Sequence, residues 1–94
     1  MTIPSNAPAL PTAADLDATL RRSMAPTRLE VIDESGQHAG HSGAGTEGYG
    51  THFRVRIASA LFEGKSRVAR HRLVYDSLQF FIAQGVHAIA IETL

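Results

Sequence analysis

The chain has 94 residues, 44% of them hydrophobic and 19% charged, which suits one small folded domain and excludes a two-domain enzyme. It contains no Cys, so it is neither a disulfide scaffold nor a thiol enzyme, and it cannot hold zinc or an iron–sulfur cluster by thiolates of its own. Nine Lys and Arg balance nine Asp and Glu, yet residues 1–50 carry a net charge of −3 and residues 51–94 one of +3, so an anionic partner is expected at the second half.

Residues 1–11 include Pro4, Pro8 and Pro11 among small and polar residues, a composition that cannot repay its ordering entropy, and are expected to be a disordered tail. The domain is expected over residues 12–94. Thr12 and Asp15 form a Thr-x-x-Asp capping pattern, and Leu16, Leu20 and Met24 follow at four-residue spacing, which predicts an amphipathic helix ending before Pro26. Arg28 to Asp33 alternates in part, with Leu29 and Val31 on one face, and reads as a strand. Six of the eight glycines lie between Glu34 and Thr51, interleaved with His38 and His41, and predict a long flexible loop.

Beyond the loop, Phe53, Val55 and Ile57 alternate with His52, Arg54 and Arg56, the pattern of a half-buried strand with a basic outer face. A helix is expected from about Ser66 to Ala83, with an apolar stripe of Val68, His71, Tyr75, Leu78 and Ile82 and with Val74 and Phe81 beside it. Gly85 stops it, and Val86 to Ile91 reads as a last strand. The order helix, strand, strand, helix, strand predicts an α/β (α+β) domain. Its first two strands pair antiparallel, the second and third run parallel through the helical crossover, and both helices pack on one face of a three-stranded mixed sheet.

Few residues here could carry chemistry. His71 sits within an apolar stripe, where an imidazole either satisfies both nitrogens internally or presents one at the surface edge. His38 and His41 are loop polar groups or metal ligands. Arg54, Arg56, Lys65, Arg67, Arg70 and Arg72 could contact phosphates or could be solvated groups flanking a buried face. The Gly-x-x-Gly matches at Gly40 and Gly45 sit in glycine-dense sequence between two strands, which is poor context for a nucleic-acid clamp, and Gly64-Lys65-Ser66 lacks the glycine loop of a phosphate-binding site. Nothing pairs a nucleophile with a base, so a non-enzymatic role is expected. No apolar stretch approaches the roughly 20 residues of a membrane span, and no leader pattern is seen, so a cytoplasmic protein is expected.

The stretch from Phe62 to Leu78 reads F-x-G-x-x-x-x-x-R-H-R-x-V-x-x-x-L, which resembles the central motif of the BolA family. Leu29 to Ser35 with His38, then Thr51 to Val55, is similar to that family's first hairpin, and Val86 to Ile91 to its last strand, so the resemblance covers about residues 14 to 92. It implies a KH-like fold of the second type. It also implies partnership with a monothiol glutaredoxin around a shared [2Fe-2S] cluster, in which the glutaredoxin cysteine and glutathione supply thiolates. This chain would supply His71 and a loop ligand, His38 by position or His41 if the longer loop shifts register. A neutral imidazole in place of a thiolate raises a cluster's potential, which suits redox sensing or a transfer step. For some bacterial members the resemblance implies transcriptional regulation through promoter DNA, which would use the basic set above. The apo form is expected to be a monomer or weak homodimer.

Overall fold

A computed structural model describes residues 10–38, the last two by backbone alone, and residues 49–94. In chain order the elements are α1 (Ala13–Met24), β1 (Arg28–Asp33), a 3₁₀ turn (Ser35–His38), β2 (His52–Ala58), a 3₁₀ turn (Ala60–Phe62), α2 (Arg67–Ser77), α3 (Gln79–Ala83) and β3 (Ala88–Thr93).

The capping pattern at Thr12 acts as read. Thr12 Oγ1 accepts from the Asp15 N–H at 3.2 Å while Asp15 Oδ2 accepts from the Thr12 N–H at 2.9 Å, so two donors left over at the start of α1 are satisfied reciprocally. Leu16, Leu20 and Met24 are all buried, and the helix ends on Ala25 in the left-handed region, one residue before Pro26. Of the expected tail, Leu10 is half-buried and Pro11 buried; residues 1–9 lie outside the described residues.

The sheet order is β1-β2-β3, antiparallel between β1 and β2 and parallel between β2 and β3. Val31 faces Val55 and Val55 faces Ile91, so one register line crosses all three strands with apolar residues. The strand period of two puts Phe53, Val55 and Ile57 inward, where they form the core with Leu16, Leu20 and Met24 of α1 and with Val74, Leu78 and Phe81 of the second helical segment. Half-buried Leu29, Val31, Ile89 and Ile91 extend it. The result is a small α+β domain with a three-stranded mixed sheet and its helices on one face, as expected.

Three local expectations are corrected. The helix expected from Ser66 to Ala83 starts correctly, with Ser66 Oγ accepting from the Ala69 N–H at 3.1 Å, but breaks at Leu78 into α2 and α3. Ser77 Oγ donates to the Leu73 carbonyl at 3.0 Å, a back-bond that bends helices, and the Leu78 N–H reaches only to Tyr75 O. The last strand begins two residues later than read. Finally, the loop opens with the Ser35–His38 3₁₀ turn, which the glycine count obscured. Asp33 and Ser35 pin both ends of the loop, since Asp33 Oδ1 accepts from the Ser35 N–H at 2.8 Å and Oδ2 from the Gly50 N–H at 2.9 Å, while Ser35 Oγ accepts from the N–H groups of Thr51 and His52.

Candidate functional site

The apolar stripe read for the second helix divides between the core, which takes Leu78, and the surface, which takes Val68 and Tyr75. Val74, Leu78 and Phe81 are buried, whereas Val68 is 66% and Tyr75 42% exposed. His71, half-buried, lies between those two exposed residues on α2. Its side chain lines a cleft of about 490 Å3 whose other walls are Val68, Arg72, Tyr75, Asp76, Gln79 and the β3 residues Ile89 and Ile91. Of the two alternatives for this imidazole, the fold selects the surface edge. The ring makes no hydrogen bond, ion pair or ring contact with any described residue, so a nitrogen lone pair is open to a ligand arriving from outside.

His38 closes the 3₁₀ turn after β1, and its side chain is outside the described part. His41 lies outside the described residues altogether. Among the described residues no three His, Asp or Glu side chains converge to hold a metal ion.

The six basic residues divide into two groups. Arg54 and Arg56 project from the outer face of β2, where Arg54 donates to Glu34 at 2.9 Å and to Glu92 at 2.7 Å, and Arg56 donates to Glu30 at 3.2 Å. Arg56 Nε also lies 3.4 Å from Glu92. The hydrogen bond from Arg54 holds the Glu92 carboxyl below its ordinary range, and the hydrogen bonds that Arg54 donates to Glu34 and Glu92 raise its already high pKa. The expected basic outer face is therefore a neutralised lattice. Its Glu30 faces Arg56 across the β1–β2 ladder, a pairing that sequence segregation of charge does not reveal. Lys65, Arg67 and Arg70 line a second cleft of about 570 Å3 with Ile91, Glu92, Thr93 and Leu94, and Arg72 borders the first. None of these four has a carboxylate within ion-pair distance among the described residues.

Sequence reasoning missed three features. Tyr75 was placed in the apolar stripe, yet it is 42% exposed and lines the cleft with Ile89 and Ile91, whereas the motif positions Val74 and Leu78 are the buried ones. Asp33 was read only as a strand end. Burial opposes its ionisation, but hydrogen bonds from Ser35 and Gly50, with the His52 charge, hold its carboxyl below the ordinary value. His52 and His87 meet with ring centroids 5.9 Å apart, at a junction that requires the parallel β2–β3 register to be known.

Against known proteins, the family model described as BolA-like protein matches residues 20–94. The chain belongs to the BolA family. Among BolA relatives, it is 50% identical over 76 residues to SufE-like protein 1, chloroplastic/mitochondrial, of Arabidopsis thaliana, covering 77% of this chain but only 20% of that protein. It is 37% identical over 78 residues to the DNA-binding transcriptional regulator BolA of Escherichia coli (strain K12), covering 83% of this chain and 70% of that one. The solved BolA domain of SufE1 from Arabidopsis thaliana superimposes with a TM-score of 0.76 at 43% identity, over 90% of this chain and 93% of the domain. No helix among the described residues is long and apolar enough to cross a membrane.

Proposed function

We propose that this BolA protein is an adaptor that binds a monothiol glutaredoxin and contributes His71, with His38 or His41, to a [2Fe-2S] cluster shared with that partner and its glutathione. The observation that carries the reading is the state of His71. It is half-buried, lines a cleft walled by aliphatic and polar side chains, has no hydrogen-bonding partner among the described residues, and lies on a helix anchored in the core through Val74. A histidine kept only for packing would be expected to satisfy its nitrogens.

The donor set fits the group in part. Iron–sulfur clusters accept imidazole in place of thiolate, and this chain offers imidazoles but no thiol, so it can complete a ligand set and cannot supply a whole one. When bound, the cluster would supply one-electron chemistry. The protein residues would hold it: His71 as a neutral nitrogen donor, Val68, Ile89 and Ile91 as an apolar surround that limits water, and Asp33 and Ser35 as the clamp fixing the base of the loop that carries the second histidine.

The test is anaerobic reconstitution of this chain with a monothiol glutaredoxin, glutathione, iron and sulfide, followed by visible absorption and circular dichroism. The heterodimer is expected to give a spectrum distinct from that of the glutaredoxin alone, and His71→Ala to abolish the difference. An unchanged spectrum in His71→Ala overturns the ligand assignment.

A second reading, promoter DNA, is favoured by four cations without an ion-pair partner among the described residues, Lys65, Arg67, Arg70 and Arg72, and by the name of the Escherichia coli relative. Arg54 and Arg56, already held by carboxylates, drop out of it. With four contacts, log K should fall with log salt at a slope of about −3 to −4. A salt-independent mobility shift would rule out phosphate contacts as its basis.

A further inference from the structure

We propose that the groove between α2 and the outer edge of β3 receives an extended acidic segment of a partner protein, which joins the sheet as a fourth strand. β3 ends the strand order, so one of its edges has no neighbouring strand among the described residues. The backbone phase of that edge follows from two hydrogen bonds. Ala88 N–H donates to Thr51 O at 3.2 Å and Leu94 N–H to Ile57 O at 2.8 Å, both toward β2. Alternate residues along a strand turn their backbone groups to opposite sides, so Ile89, Ile91 and Thr93 present theirs to the open edge. Such a row is a template for strand addition, and the chain has put neither proline nor lysine within β3 to blunt it.

The side chains along the edge select the occupant. The two clefts meet at Ile91 and together follow β3 from Ile89 to Leu94. Their floor is aliphatic, from Val68, Ile89 and Ile91, and suits the inward side chains of an added strand. The α2 side supplies Lys65, Arg67, Arg70 and Arg72 against Asp76 alone, while Glu92, at the edge, is already engaged by Arg54 and Arg56. An acidic segment answers that charge. Pairing β3 with β3 of a second copy would place two cationic walls in one interface, and a nucleic-acid strand would find only Tyr75 and the His71 imidazole to stack on in the described groove, with no row of large aromatics for successive bases. No metal or cluster enters this argument, so it stands apart from the glutaredoxin reading.

The test uses the full-length, isotope-labelled protein without iron or glutaredoxin, titrated with an acetylated, amidated nine-residue peptide whose alternate positions on one face are Ile and Val at one end and Glu at the other, with Thr on the opposite face. Amide shifts and slowed hydrogen exchange are expected to centre on Ile89, Ile91 and Thr93, with binding weakened about ten-fold by Arg67→Glu with Arg70→Glu and weakened further by salt. The same peptide N-methylated at alternate residues leaves the protein untouched and is expected not to bind, because it can no longer complete the ladder. Equal binding of the methylated peptide, shifts centred away from β3, or nine-nucleotide oligothymidine binding these residues more tightly than the peptide would each overturn the proposal. So would self-association through β3 that excludes the peptide. Failure here leaves the spectroscopic test of His71 unaffected.

Discussion

Substitutions on the two faces of the second helical segment separate a core face from an exposed face. Leu78 is fully buried, at the junction of α2 and α3, in contact with the cluster that includes Phe53, Val74 and Phe81. Truncating it to Ala removes its buried methyl groups and leaves a cavity, which costs about 2–5 kcal/mol. Against a total of about 5–15 kcal/mol for a domain of this kind, and about 4–8 °C of Tm per kcal/mol, Leu78→Ala should lower the melting temperature by about 10 °C or more and can unfold the protein outright. Val68, read on the same stripe as Leu78 yet two-thirds exposed, has little to lose. There, Val→Ala should fall within about 0.5 kcal/mol of wild type, with Ala's better helix propensity offsetting the lost contact. Urea unfolding monitored by far-UV circular dichroism reads both. Comparable losses at the two positions, or a Leu78→Ala loss below about 1 kcal/mol, would refute the assignment of faces and with it the exposed setting of His71.

Other outcomes follow from particular contacts. Thr12→Ala breaks one arm of the capping box and should cost about 0.5–2 kcal/mol by urea unfolding, with little effect on partner binding at the far side of the domain. Asp33 has its pKa held below the ordinary 3.8, so it stabilises the fold above that value, and this contribution disappears as the pH falls through the lower folded value. Asp33→Asn should therefore be less stable than wild type at neutral pH and should show a shallower loss of stability below about pH 4. Gly50 has φ +80°, and a Cβ there would lie 2.6 Å from the Leu10 Cβ and 2.9 Å from the Pro11 carbonyl oxygen. Gly50→Ala should thus cost more than Gly64→Ala, where φ is +74° but nothing lies within 4 Å, and the backbone strain alone is about 1 kcal/mol. Equal thermal shifts for the two would remove the role given to packing against Leu10 and Pro11.

What was legible in the sequence was whatever depends on neighbours in the chain. The cap at Thr12, the bounds of β1, the alternation of β2 and the start of the second helix near Ser66 are set by residues within four positions of one another, and all appear where read. The helix phase was harder, because α2 carries apolar residues around much of its circumference. Val68 and Tyr75 fit a 3.6-residue stripe as well as Val74 and Leu78 do, and only the placement of β3 decides which side closes. The break at Leu78 depends on one hydroxyl turning back to Leu73. The candidate site suffered from the same limit. His71 could be singled out, but its open nitrogen could not, and the pairing of Arg54 with Glu34 and Glu92 joins residues 20 and 38 positions apart.

That lattice changes what zero net charge means for this protein. A chain with equal numbers of acids and bases presents no net attraction only if the two are mixed on the surface, and here they are sorted by face. Glu30, Glu34 and Glu92 are drawn onto the outer side of the sheet by Arg54 and Arg56, and Asp17 is held by Arg21 on α1. Glu92 borders the groove but is already engaged by Arg54 and Arg56, so among the described residues Lys65, Arg67, Arg70 and Arg72 have no carboxylate within ion-pair distance beside the cleft of His71. The fold thereby generates a local field that the composition lacks, within about one Debye length, 8 Å, of the groove at physiological salt. An anionic partner reaching His71 must pass that field, whether it brings a cluster, a peptide or a phosphate chain. Salt should accordingly slow such a partner's association more than it weakens the fold.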